Sequence, residues 1–500
     1  MELLANLGLG LAAALTFKSL AYCFVGVFVG TLVGVLPGLG PVATIAMLLP
    51  ITFGLEPLPA LIMLAGIYYG AQYGGSTTAI LVNVPGETSS VVTTLDGYKM
   101  ARQGRAGVAL ATAALASFAA GTVSTLIVAL FAPPLAEIAL KFGPAEYFSL
   151  MILGLVASVV LAHGSLLRAI GMIVVGLLLG LVGADVTSGV QRYSFGIASL
   201  ADGIGFVVLA MGMFGLGEIV LNLEREEARA AVAVEIHKLM PTREDFRRMF
   251  GPIVRGTALG SLLGILPGGG AMLASFSAYA LEKKVSRHRD EFGKGAIEGV
   301  AAPESANNAG AQTSFVPMLT LGIPSNPVMA LMIGALIIQG IVPGPTVMSE
   351  RPELFWGLIA SMWVGNAMLL VLNLPLIGLW VRLVTVPYHH LFPVILVFCG
   401  IGVLSVNNNE VDVFLMAIFG VLGYLAAKLD CEPAPMLMGF ILGPMMEEYL
   451  RRALLQSHGN PTVLLTRPIS ASLLIVAALA LVVVLLPAIR KKREIAFQEE

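Results

Sequence analysis

Charge is scarce in this chain. Only 12% of its 500 residues are Asp, Glu, Lys or Arg, against 57% hydrophobic. A soluble chain of this length needs far more charge to cover its surface, so a soluble globular protein is excluded. Cysteine is scarcer still. Cys23, Cys399 and Cys431 lie in apolar surroundings at unrelated spacings, which suggests reduced core residues and neither a disulfide framework nor a metal site. The six histidines (His163, His237, His288, His389, His390 and His458) show no metal-ligand spacing. Also missing are the G-x-x-x-x-G-K-[ST] phosphate loop and the H-E-x-x-H and G-x-S-x-G motifs. The first absence removes ATP hydrolysis through that loop; the others make an intramembrane enzyme a poor reading. No basic residue precedes Lys18, so the leading segment is expected to be retained rather than cleaved as a signal peptide.

What the chain has instead is apolar runs from end to end, such as Gly107–Ala132 and Ile469–Pro487. Each is long enough to cross a hydrocarbon core of roughly 30 Å as a helix. The fold class is an all-α polytopic membrane protein, with the lipid bilayer as its main surroundings. Four basic clusters orient it: six Lys/Arg in Leu223–Phe250, three in residues 96–105, five in Glu282–Glu298, and Arg490, Lys491, Lys492 and Arg493 in the tail. The positive-inside rule puts all four on the cytoplasmic side. Counting runs between them gives an even number from 107 to 222 and an odd number from 354 to the tail, in agreement. Arg451 and Arg452 then fall outside, against the rule.

One pattern occurs twice. GTLVGVLPGLG at 30–40 and GSLLGILPGGG at 260–270 share seven of eleven residues. In the second copy the pieces Pro252–Leu266 and Ala271–Leu281 reach about 22 and 16 Å as helices, too short to cross separately. The economical reading is a re-entrant hairpin, 251–281, matched by a similar one at about 18–55. Each is followed by an interrupted helix: about 74–95, broken at Pro85-Gly86, and about 309–341, broken at Pro324-Ser325-Asn326-Pro327. The first ends at a basic loop and the second at a poorly charged one, which implies inverted copies. The expected organisation is a first half, 1–222, a cytoplasmic linker, 223–250, and a second half, 251–500.

Pro removes a backbone donor and Gly permits turns that other residues resist. Irregular backbone within a bilayer is tolerated only where protein or a water-lined cavity satisfies it. A helix broken at mid-membrane presents N–H groups suited to anions and carbonyls suited to cations. Secondary transporters place their sites at such breaks. The expected substrate-binding residues are Gly38, Gly40, Thr77, Thr78, Asn83, Pro85, Gly86, Glu87 and Thr88 in the first copy. In the second they are Gly268, Gly269, Gly270, Asn308, Thr313, Pro324, Ser325 and Asn326. Ser76, Asn83, Glu304, Asn307 and Ser314 are the candidates for cation coupling. Small polar residues also pack membrane helices together, and Glu87 and Glu304 are ordinary boundary carboxylates unless buried, where they are functional by default.

The stretches GVLPGLGP, YYGAQYGGSTTAILVNVPGE, GILPGGG and PESANNAGAQTSFVPMLTLGIPSNP resemble the large membrane subunit of the tripartite tricarboxylate transporters. The resemblance covers nearly the whole chain. It implies a multi-pass importer of about twelve spans in the bacterial cell inner membrane. It also implies two partners, a small membrane subunit (TctB-like) and a periplasmic solute-binding protein (TctC-like) that delivers the carboxylate substrate. Uptake of a citrate-like tricarboxylate or related carboxylate would be driven by an ion gradient, with Na+ (or H+) as coupling ion. No cofactor and no nucleic acid are expected. The alternative is a passive anion channel. The paired hairpins suggest an elevator-like movement of the core.

Overall fold

The computed structural model describes the chain except for residues 1, 37–39, 84, 162–164, 186–187, 225–238, 267–269, 384–387 and 486–500. Gly38, Gly268 and Gly269, residues 225–238 of the 223–250 linker and the basic tail therefore lie outside the described residues. In chain order the main helices are α1 (Glu2–Ala14), α2 (Phe17–Gly34), α3 (Pro41–Thr52), α4 (Pro57–Val82), α5 (Ala106–Ala139), α6 (Pro144–Leu161), α7 (Leu166–Gly180) and α8 (Phe206–Glu224). They continue as α9 (Arg243–Ile265), α10 (Gly270–Val285), α11 (Glu298–Thr313), α12 (Phe315–Leu321), α13 (Pro327–Ile338) and α14 (Pro352–Asn373). The last four are α15 (Tyr388–Asn407), α16 (Glu410–Lys428), α17 (Pro433–Gln456) and α18 (Pro468–Leu485). Among the described residues, five helices are long and apolar enough to cross a membrane, namely α2, Ala101–Ala139, α8, α14 and α16, and six shorter apolar helices accompany them.

Local chemistry explains where these helices start. Pro41, Pro57, Pro327, Pro352 and Pro433 each open one, at the position where a missing N–H costs nothing and φ is already helical. Thr16 caps α2 by accepting from the Ser19 N–H. Thr242 and Asp245 form a reciprocal capping box on α9, which satisfies two otherwise unpaired groups.

Two helix pairs are built alike. Gly26, Gly30 and Gly34 of α2 lie directly against the backbone of Met63, Ile67 and Ala71 of α4. Gly256, Gly260 and Gly264 of α9 lie in the same way against Ala302, Ala306 and Gly310 of α11. Glycine at every fourth position lets two backbones approach more closely than any side chain would permit. The contacts advance together along both chains, so the helices of each pair run parallel. Between the pairs the direction reverses: Ser76 of α4 meets Glu304 of α11, while Tyr69, earlier in α4, packs on Phe315, just beyond α11.

The ends of the molecule carry the ion pairs. At one end Arg105 pairs with Asp245 at 2.6 Å, Arg248 with Glu298 at 2.8 Å, and Gln103 donates to the Lys294 carbonyl at 2.7 Å. Asp96 accepts there from the N–H groups of Gly295 and Ala296. The basic loops at 96–105 and 282–298 and the start of α9 thus share one face. At the opposite end Lys18 pairs with Glu56, Arg467 with Glu146, and Arg451 with Asp185 and Glu447. The Arg451 that the charge rule places awkwardly is therefore neutralised by two carboxylates.

α10 folds back against α9 and α11. α3 leans away from α2 and packs on α4, α8, α13 and α15. α4 already begins at Pro57 and α9 at Arg243, ahead of the starts near 74 and 251 expected from the apolar pattern. α11 is buried along its whole length despite a sequence of EGVAAPESANNAGAQT. A helix that is polar all round is stable in a bilayer only when neighbouring protein encloses it.

Candidate functional site

The two breaks have matching geometry at a constant separation of 239 residues. α4 ends at Asn83 and α12 at Gly322, both in the left-handed conformation, with φ of 59° and 69°. That conformation ends a helix, and Gly and Asn adopt it at least cost. Two residues on stand Pro85 and Pro324. Next, the Gly86 N–H donates to the Gly75 carbonyl at 3.4 Å, and the Ser325 hydroxyl donates to the Ser314 carbonyl at 3.3 Å. Glu87 then caps the 3-10 turn Thr88–Ser90 through a box with Ser90. Asn326 caps α13, its Oδ1 accepting from the Met329 N–H at 3.0 Å. Each break also lies beside its tip: Gly86 packs on Gly34, and Asn326 is the nearest neighbour of the side-chain position at Gly270.

The two assemblies meet. Asn307 donates to the Glu87 carboxylate at 3.2 Å, and the Ser275 hydroxyl of α10 donates to the Ser89 carbonyl at 2.8 Å. The buried phenol of Tyr68 faces Gln72, Ser314 and Asn326, with Glu87 nearby. Several buried polar atoms at this junction have no partner among the described residues: both side-chain polar atoms of Gln72, Asn307 Oδ1 and Asn326 Nδ2. Native proteins leave few such groups unpaired, because each costs its desolvation. The set offers acceptors and donors together, which suits a solute carrying carboxylate oxygens and an accompanying cation.

A second polar pocket lies behind the first. Glu304 is buried and accepts from Ser76 at 2.7 Å, from Thr93, and from Ser117 at 3.4 Å. Asn308 donates to the Ser117 hydroxyl at 2.6 Å. Tyr73, Ser76, Thr77, Ser117, Glu304 and Asn373 are among the residues lining a small cleft here.

The expected site residues therefore divide. Glu87, Asn307, Gly270, Ser325 and Asn326 come together at the junction. Ser76, Thr77, Glu304 and Asn308 belong to the second pocket. Gly86 and Pro85 shape the first break, and Pro324 the second. Thr78 uses its hydroxyl on the carbonyls of Gly74, Val35 and Gly34, clasping α4 to the tip of α2. Thr313 and Ser314 spend theirs on the carbonyls of Ala309 and Ala311. Asn83 and Thr88 are exposed at the edge of the first break. Gly40 caps α3 with extended backbone and open space beside it. Gly38, Gly268 and Gly269 are outside the described residues. Sequence reasoning passed over Gln72, Thr93, Ser117 and Asn373. A signal existed for the last two: Ser117 and Ser124, and likewise Asn366 and Asn373, stand seven residues apart in mostly apolar helices, on one face of each.

The fold defines a multi-pass α-helical membrane protein with buried polar residues gathered beside its helix breaks. Residues 20–438 match the model of the tripartite tricarboxylate transporter TctA family, and the chain belongs to that family. It is thus a transport protein, a tricarboxylate-transporter subunit by family. The "Uncharacterized 52.8 kDa protein in TAR-I ttuC' 3'region" of Agrobacterium vitis is 61% identical over 500 residues, the whole of both chains. The "Uncharacterized protein in TAR-II ttuC' 3'region" of the same organism is 59% identical over 241 residues, 48% of this chain and all of that one. No solved structure matches.

Proposed function

We propose that this protein is the large permease subunit of a tripartite carboxylate importer of the bacterial inner membrane, built from two inverted repeats with about twelve spans. Substrate arrives on a periplasmic solute-binding protein, and a small membrane subunit completes the complex. A citrate-like tricarboxylate or related carboxylate binds where the two breaks meet, and Na+ moves with it. The observation that carries this reading is the junction itself, where Asn307 reaches Glu87 and Gln72 and Asn326, each with an unpaired amide atom, face Tyr68. The opposite directions of the pairs α2/α4 and α9/α11 support the inverted repeat and alternating access about a fixed site.

Ion coupling has a physical basis. One charge moved through 100 mV is worth about 2.3 kcal/mol. A trianion entering a negative interior therefore costs about 7 kcal/mol electrically, which cotransported cations offset. Proteoliposomes holding the complete complex test the reading. An inward Na+ gradient is expected to drive labelled carboxylate above its external concentration. Uptake that only equilibrates, with or without the gradient, would indicate a passive anion channel and end the proposal.

A further inference from the structure

The cleft around Glu304 is a second polar site, and its needs are specific. Glu304 is 1% exposed, and no Lys, Arg or His pairs with it among the described residues. A lone buried carboxylate is strongly unfavourable unless a counter-charge or a proton joins it. Asn373 is 5% exposed, donates its Nδ2 to the Leu369 carbonyl at 2.9 Å, and leaves Oδ1 without any donor. Asn373 and Glu304 line the same cleft. We propose that Glu304, Asn373, Ser76, Thr77 and Ser117 form a binding site for one Na+ ion, distinct from the carboxylate site at the breaks.

The ligand set is all oxygen, the preference of hard cations. It contains a single carboxylate, which balances one positive charge. Among the described residues no group of three His, Cys, Asp or Glu side chains gathers to hold a more highly charged ion. The hydroxyls are free to serve. Ser76 lies 3.1 Å from the Gln72 carbonyl and Thr77 3.3 Å from that of Tyr73, so both protons can turn aside and leave lone pairs to the ion. Ser117 accepts from Asn308 and likewise has a lone pair to offer.

The position also explains coupling, a point that rests on the transporter reading above. Asn307 and Asn308 follow Glu304 on α11 by three and four residues. Asn308 ties into the cleft through Ser117, while Asn307 reaches Glu87 at the first break. An ion in the cleft fixes the rotation of α11 and so presents Asn307 to the substrate site.

The test is binding of radioactive Na+ to the purified full-length protein in nanodiscs, without substrate, with K+ as competitor. The parent is expected to bind Na+ in preference to K+ and to melt at a higher temperature in Na+. Glu304→Gln, which keeps the volume, is expected to weaken Na+ binding at least about tenfold and to remove the Na+-dependent rise. Asn373→Asp adds a second carboxylate and is expected to shift preference towards Ca2+, a change that a purely structural role for Asn373 would not produce. A parent that binds no Na+, or variants that bind it as the parent does, overturns the site. Gradient-driven carboxylate uptake by the parent is measured separately, so loss of this site and loss of the transporter reading are distinguishable.

Discussion

The carboxamide of Asn307 donates to the carboxylate of Glu87 at 3.2 Å, joining residues 220 apart in the chain. It spans the seam between the α2/α4 pair and the α9/α11 pair, tying the first break to the middle of α11. Glu87 also accepts from Ser89 and shares a capping box with Ser90. Its replacement is expected to act on both the break and the solute. Glu87→Ala leaves the Asn307 amide unpaired, and losing a hydrogen bond to a charged group costs about 1.5–3 kcal/mol. Uptake at subsaturating carboxylate is expected to fall about tenfold or more. Glu87→Gln keeps an acceptor for Asn307 and is expected to retain the parent's melting temperature. Equal uptake by Glu87→Ala and parent in proteoliposomes would remove Glu87 from the site.

The glycine contacts predict a sharp asymmetry in tolerance. A side chain at Gly260 would collide with the Ala306 backbone, whereas Gly8 in α1 has nothing within 4 Å. Gly260→Val is expected to destabilise by about 1–3 kcal/mol or more, as overpacking does. Gly8→Ala is expected to be neutral or slightly stabilising, because alanine is the better helix former. Thermal melting of the two variants in detergent checks the contrast.

The left-handed residues that end α4 and α12 are expected to respond differently to alanine. Asn83→Ala loses the side chain that tolerates this backbone, at a cost of about 1 kcal/mol. Gly322→Ala bears that strain and also drives its new methyl into the Pro343 carbonyl. The larger fall in melting temperature should therefore belong to Gly322→Ala. A reversed order would mean that the breaks do not depend on these conformations.

The capping box at the start of α9 gives an acid-sensitive contribution. Burial acts to raise the Asp245 carboxyl, but bonds from Thr242 and the neighbouring Arg105 hold it below the usual carboxylate range. A carboxylate with a depressed folded-state value adds stability that is present above about pH 4 and lost as the pH falls through its folded value. Asp245→Asn is expected to melt lower than the parent at pH 7 and to show a flatter loss between about pH 4 and pH 2. Parallel melting curves across that window would show that the pair with Arg105 is inert.

Gly40 offers a probe of movement. It has extended backbone with open space around it, so Gly40→Cys is accommodated; Gly270, at φ 53°, resists any side chain. Labelling of Gly40→Cys by a membrane-impermeant thiol reagent is expected to change when carboxylate and Na+ are added together. A Cys431→Ser background removes the native thiol that is only partly buried. Accessibility independent of both solutes would argue against elevator-like movement of this tip.

The breaks were legible because Pro and Gly act on the backbone directly: Pro85-Gly86 and Pro324-Ser325 follow the left-handed ends at Asn83 and Gly322, whereas Pro133 and Pro134 stay inside α5. α11 was not, since its polar residues read as a boundary, and only the surrounding helices make PESANN an interior segment. The second pocket was hidden similarly. Ser117 and Asn373 are polar residues scattered along mostly apolar helices, and the helix facing each of them is set by tertiary packing. The stripes Gly26, Gly30, Gly34 and Gly256, Gly260, Gly264 stood openly in the sequence at every fourth residue, yet their partners in α4 and α11 required the fold.

The enclosure of α11 bears on how the protein is made. A segment with Glu298, Glu304, Ser305, Asn307, Asn308 and Gln312 on its surface is too hydrophilic for the insertion machinery to release alone into lipid. It must wait for company. α5, synthesised well over a hundred residues earlier, already holds one flank when α11 emerges, and α9 and α10 arrive just ahead of it. Biogenesis of the second half therefore depends on the first being in place, and the order of genes in an engineered split version would matter.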